Sequence, residues 1–161
     1  METASQWVQY LNLAAHPEGG YFKEIYRNNI ELNISSKYSG QRNLATSIYY
    51  MLKSGQVSKL HRLKSDEIWY FHYGAALKVH VFHNDAYQCY TLGNSLNHNQ
   101  VLQLIIQAGA VFGAEVTDPN SFSILGCMVS PGFHFDDFEL ISANEMYAHF
   151  PNQKSIIQLL T

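Results

Sequence analysis

Cysteine is scarce in this chain: Cys89 and Cys127 are the only two in 161 residues, and they form no CxxC pair. A disulfide-stapled secreted scaffold is thereby excluded, and both thiols are expected to be reduced and structural. Charge is sparse as well, at 14% of residues, with a formal net charge of −3 and ten scattered Lys and Arg. No basic patch exists to hold a nucleic-acid backbone or an anionic membrane surface. No run approaches the ~18 consecutive apolar residues of a membrane span, and METASQWVQYLNL lacks the basic start and apolar stretch of an export signal. A cytoplasmic location is the expectation. Neither a GxSxG nucleophile elbow nor a phosphate-cradling glycine loop is present, which removes hydrolase and nucleotide-triphosphate readings. Without repeats, low-complexity tracts or a long linker, residues 1–161 read as one domain.

What the chain has instead is apolar and aromatic mass: 47% hydrophobic residues, with 11 Tyr and 9 Phe. Thr3 and Gln6 stand at capping-box spacing ahead of Trp7, Tyr10, Leu11 and Leu13, which predicts a short helix over ~4–14, closed by HPEGG. Short runs rich in β-branched and aromatic residues follow, separated by turn signals: YFKEIYR, ATSIYYML, IWYFHY, LKVHVFH, YQCYTL, QLIIQ, SFSILGCMV, FELIS and SIIQLL. About nine strands at this spacing, with no helix-length pattern between them, predict an all-β sandwich or barrel.

The stretch Ser54–Gly74, SGQVSKLHRLKSDEIWYFHYG, reads as two strands joined at KSD. Period-two alternation puts His61 and Leu63 on one face of the first strand, and Glu67, Trp69 and Phe71 on one face of the second. The spacing from Gly55 through His61 and Glu67 to Gly74 resembles the first signature of the cupin superfamily, with Leu63 where a second metal-binding histidine would stand. The second signature maps onto Gln107, Gly109 and Phe112 and loses two of its marks. HPEGGYF, YR at Tyr26 and Arg27, SIYYML, HRLKSDEIWYF, LGC and PGFHFDDFEL further resemble an uncharacterised family of small cupins. That family is related to the sugar-nucleotide 3,5-epimerase of rhamnose synthesis. The resemblance implies a jelly-roll barrel, a homodimer, and a pocket for a small molecule at the barrel mouth. Tyr70 stands where the family more often has histidine and is assigned no role.

Of the four metal ligands in the superfamily pattern only His61 and Glu67 survive. A transition-metal site takes three or four N, O or S ligands, so no resident metal is expected unless an unforeseen ligand such as Tyr49 or His72 contributes. The comparison with the epimerase implies metal-free chemistry, with a barrel histidine as base, a carboxylate to orient it and a tyrosine as acid. His61 is the base candidate, Glu67 or Asp137 its support, and Tyr49 or Tyr21 the acid. Asp137 is expected to share an inward face with Phe133 and Phe135. Glu18 and Arg27 are candidate ligand contacts, Arg27 as a two-pronged grip on an anion or as scaffold beside Glu24. Trp69, Phe71, Tyr49 and Phe133 would line an aromatic cavity. His80, His83, His98 and His149 read as surface residues. An isomerase or epimerase on a sugar-like or keto substrate, a non-catalytic metabolite-binding module and a weakly metal-dependent cupin enzyme all remain open.

Overall fold

The computed structural model describes residues 2–161. Helix α1 (Ala4–Leu11) opens the chain, with Thr3 and Gln6 forming a reciprocal capping box and Asn12 closing it in the left-handed conformation. Thirteen strands follow: β1 (Ala14–Ala15), β2 (Tyr21–Arg27), β3 (Glu31–Leu32), β4 (Arg42–Asn43), β5 (Thr46–Lys53), β6 (Val57–Leu63), β7 (Asp66–Gly74), β8 (Leu77–His83), β9 (Ala86–Leu92), β10 (Gln103–Ile106), β11 (Val111–Val116), β12 (Phe122–Ser130) and β13 (Phe138–Leu140). Helices α2 (Ala143–His149) and α3 (Lys154–Leu159) end the chain. Among the described residues no helix is long and apolar enough to cross a membrane.

Two antiparallel sheets face each other as a jelly-roll barrel, one ordered β1-β2-β5-β12-β7-β10 and the other β13-β6-β11-β8-β9. Their inner faces supply the main core, including Tyr50, Leu52, Trp69, Val79, Leu104, Phe112 and Leu125. The outer faces are not equivalent. Part of the six-stranded sheet is covered by α1 and its neighbours, through Trp7, Val8 and Leu13 against Met51 and Ile124. The five-stranded sheet is covered by the C-terminal helices, through Met146, Ile157 and Leu160 against Leu60, Phe82 and Val111.

Three sequence expectations are corrected here. SIIQLL is helical rather than a strand, because Ile157 and Leu160, three apart, bury one face of α3 against β6 and β11. Tertiary burial outweighs the β preference of its isoleucines. His80 is 2% exposed rather than on the surface. Its Nδ1 meets the Tyr87 hydroxyl at 2.9 Å, and burial lowers its pKa against the pull of Glu115. Residues Phe135–Asp137 form a turn of 3-10 helix, so strand alternation does not govern where Asp137 points.

Candidate functional site

The site begins with a bulge. Along β6 and β11 the pairing runs from His61↔Phe112 to Ser58↔Ala114, three residues on one strand against two on the other. The extra residue lets Ser58 and His61 both be buried, while Lys59 between them is exposed. It also frees the Lys59 backbone. Its N–H donates to the Glu18 carbonyl at 2.8 Å, and its carbonyl lies 2.6 Å from His61 Nδ1.

The HPEGG turn docks on this bulge. Gly19 has φ of +112°, and a Cβ there would lie 2.1 Å from the Val57 carbonyl oxygen. Gly20, at φ +69°, would place one 2.6 Å from the Met51 carbonyl. Only glycine allows this approach, and it drives the Glu18 side chain into the barrel. There Ser58 Oγ donates to Oε1 at 2.9 Å, and Oε2 stands 3.2 Å from His61 Nε2. Tyr50 holds the turn by donating from its hydroxyl to the Gly19 carbonyl at 2.9 Å.

This network fixes proton positions. A carbonyl only accepts, so His61 Nδ1 carries hydrogen and Nε2 is the nitrogen turned to Glu18. That nitrogen and Oε2 are in contact at 3.2 Å without the geometry of a hydrogen bond. His16 behaves differently. The Glu18 N–H donates to its Nδ1 at 3.3 Å, so this ring is neutral with hydrogen on Nε2. Burial lowers the His16 pKa, ahead of an opposing pull from Glu18. The 3.5 Å approach of His16 Nδ1 to Glu18 Oε2 is therefore not an ion pair.

Glu67 faces the same space. Burial, reinforced by the charge of Glu18, pushes its pKa up to about 8. The Trp69 indole opposes that rise, although neither Glu67 Oε2 nor Trp69 Nε1 has a hydrogen-bond partner of good geometry. Glu67 is thus a neutral carboxylic acid at pH 7, with a hydrogen to donate. A cavity of about 210 Å³ joins these groups, bounded by Phe22, Ile48, Leu63, Val129 and Phe138 on its apolar walls. The His61 ring packs on Phe112 at 4.1 Å between centroids and on Phe138 at 5.5 Å.

Arg27, Glu24, Phe133 and His134 also border the cavity. All five Arg27 N–H donors are engaged. Nε and Nη2 reach the two Glu24 oxygens at 2.9 and 2.7 Å, Nη1 reaches Asn43 Oδ1 at 2.8 Å, and both Nη groups reach the Phe133 carbonyl. Of its two sequence readings, the scaffold beside Glu24 is the one the geometry displays. Cys127 lines the cavity as a buried free thiol, with a pKa raised well above the ordinary value by burial and by Glu67 and Glu18.

Of the candidates from sequence, Glu18, Arg27, His61, Glu67 and Phe133 border the cavity together. Trp69 is buried behind the lining, 5.7 Å from Tyr50 and 5.8 Å from Phe112. Phe71 packs farther along the same core. The structure does not bring Asp137 to His61. Burial alone would raise its pKa, but two hydrogen bonds from Arg42, at 2.6 and 2.9 Å, together with Lys64 bring it below the ordinary range. Tyr21 and Tyr49 pack with the cluster under α1, on the outer face, and are corrected as acid candidates. Tyr21 carries the Lys53 ammonium over its ring at 4.6 Å, and Tyr49 meets His72 edge-on. Sequence reasoning missed His16, Tyr50 and Ser58. His16 stands two residues before Glu18, and Tyr50 directly follows Tyr49 on β5, so the two point to opposite faces.

A metal does not fit this donor set. Leu63 and Phe112 put carbon at two superfamily ligand positions, and Glu18 Oε2 already faces the lone ring nitrogen of His61 that an ion would use. Among the described residues no three His, Cys, Asp or Glu converge as a metal site.

Comparison with known proteins agrees with this architecture. Protein SO0799 from Shewanella oneidensis is similar over the whole molecule, with 37% identity, coverage of 100% of this chain and 98% of that one, and a TM-score of 0.90. A hypothetical protein from Leishmania major is 29% identical, with 99% of each chain covered and a TM-score of 0.90. The uncharacterized yeast protein YML079W, from Saccharomyces cerevisiae, is 26% identical across 98% of this chain and 86% of its own length. A family model described as Cupin superfamily (DUF985) matches residues 5–141, and the chain belongs to that family.

Proposed function

We propose that this protein is a metal-independent isomerase or epimerase, moving a proton on the carbon next to the carbonyl of a small sugar-like or keto compound. One observation carries the reading: the Nε2–Oε2 contact of His61 and Glu18 shares one apolar cavity with the unpartnered carboxyl of Glu67. Such a pair of groups supplies a base and an acid across a bound carbonyl. His61 Nε2 takes the α-proton and ends as imidazolium beside the Glu18 carboxylate. The C–H electron pair moves into the carbon skeleton, and Glu67 gives its hydrogen to the carbonyl oxygen. Charge stays balanced, because Glu67 becomes the carboxylate as His61 becomes the cation. Return of a proton at the α-carbon's other face, or at a neighbouring carbon, completes the isomerisation.

The protein is also proposed to be cytoplasmic, in line with its free thiols, and to act as a homodimer, in line with the resemblance. Support for a dimer comes from the half of the six-stranded sheet that no helix covers. A cross-strand row there runs Tyr26, Ser47, Met128, Ile68 and Ile105.

Exchange of α-hydrogens in deuterated water, followed by proton NMR over a panel of ketones, keto acids and ketoses, tests the reaction. Wild type is expected to catalyse exchange in at least one member. His61→Asn and Glu67→Gln should each lose it by about a hundredfold or more. A panel member that raises the melting temperature while no member exchanges would replace this reading with a binding module.

A further inference from the structure

We infer that the cavity selects an uncharged, largely apolar carbonyl compound of fragment size, and that sugars and anions are excluded from it. The inference rests on the proton-transfer reading and narrows its substrate class. The cavity offers no unengaged guanidinium or ammonium group. Arg27, its one arginine or lysine, has all five donors engaged, by Glu24, Asn43 and the Phe133 carbonyl. His16 is a neutral ring, its Nδ1 accepting from the Glu18 N–H, and His61 Nε2 stands 3.2 Å from Glu18 Oε2. A carboxylate or phosphate on a ligand would meet no free guanidinium or ammonium and would face the Glu18 carboxylate, whose side chain is 8% exposed. In a water-poor site that repulsion is weakly screened.

Hydroxyl-rich ligands fail for another reason. Within the cavity Glu18 Oε1 accepts from Ser58 Oγ, its Oε2 faces His61, and the Thr46 hydroxyl accepts the Phe133 N–H at 2.9 Å. Among the buried side-chain atoms, Glu67 Oε2 and Trp69 Nε1 lack hydrogen-bond partners, and the His16 Nε2–H is a further open donor on the cavity wall. One carbonyl oxygen satisfies the Glu67 carboxyl. A sugar ring would bury several hydroxyls against Phe22, Ile48, Leu63, Val129 and Phe138 with nothing to bond, and each unpaired group weakens binding. The space of about 210 Å³ is below the ~300–1,000 Å³ usual for drug-sized ligands, so the occupant is a compact ring or short chain.

Three probes on one skeleton test the class: 4-methylcyclohexanone, 4-oxocyclohexanecarboxylate and the polyhydroxylated 2-keto-myo-inositol. Dissociation constants would be read by ligand-observed NMR at pH 7. The neutral ketone is expected to bind at least tenfold more tightly than either of the others. Glu24→Gln releases the guanidinium, and its expected effect is a gain: at least a tenfold tighter hold on the carboxylate, with the ketone unchanged. Equal or tighter binding of the carboxylate or the inositol ketone by wild type would overturn the inference. So would the absence of binding by every neutral ketone in a size series from acetone to decalone, or competition for the cavity by micromolar Mn²⁺ or Zn²⁺. Binding and turnover are read separately. A neutral ketone that binds selectively yet exchanges no hydrogen upholds the ligand class and sinks the reaction. Exchange in a keto acid or ketose alone does the reverse.

Discussion

Glu67 is a carboxyl group enclosed by apolar walls, and its stability cost depends on pH. Its folded pKa of about 8 lies above the ordinary 4.5, so the folded state favours the neutral acid. That stabilisation is fully present below about pH 4.5 and is lost as pH rises through 8. Glu67→Gln keeps the shape and cannot ionise. At pH 9 the variant should be more stable than wild type by on the order of 3–5 kcal/mol, with little difference at pH 4.5, as read by urea denaturation at both values. Asp137 has the opposite sign. Its folded pKa is lowered, so its contribution is present above the ordinary carboxylate range and disappears as pH falls through the folded value. Because the Arg42–Asp137 pair is buried at 3% exposure of each side chain, Asp137→Asn should cost roughly 3–5 kcal/mol at pH 7 by leaving Arg42 unmatched. Acid titration of the melting temperature would show that loss shrinking at low pH. His61, Leu63 and Glu67 were legible as residues, since hairpin spacing alone sets their faces. The partner of His61 was not, because Glu18 is 43 positions away from it in sequence and reaches it only through a turn.

At the scale of elements, the turn at residues 16–20 and the bulge in β6 act as one unit. Gly19→Ala would force a Cβ against the Val57 carbonyl at a positive φ, so the turn must lift away from the strand. A loss of more than 2 kcal/mol in stability, the roughly expected size for strain plus a clash, should accompany a steep fall in hydrogen exchange. A variant that kept full exchange activity would show that Glu18 does not need this turn. The short helix α3 gives a control: Ile157→Ala should cost about 2–4 kcal/mol without altering ligand selectivity, since Ile157 packs outside the barrel. Most strands were readable because period-two runs and turn residues bracket them. The bulge was not, because an added residue leaves no mark in composition and yet shifts Ser58 onto the side of His61. Parity failed on β5 for a related reason. Both of its faces are buried, one inside the barrel and one beneath α1, so Tyr49 and Tyr50 look equally plausible in the sequence.

For the whole molecule, the uncovered half of the six-stranded sheet should govern assembly. Ile105 is 59% exposed there and stands opposite Ile68. Sedimentation or light scattering should give a mass twice the 18.3 kDa of the chain, and Ile105→Asp should reduce it to a single chain. A wild-type monomer at high micromolar concentration would dismiss the dimer. The barrel also carries its own recorder of how often it breathes. Cys127 looks into the cavity and Cys89 lies on the surface, so a thiol reagent marks Cys89 at once and Cys127 only when the walls part. Mass spectrometry would count the two events separately. The slow one becomes a clock for barrel opening, and any occupant that fills the space should stop it.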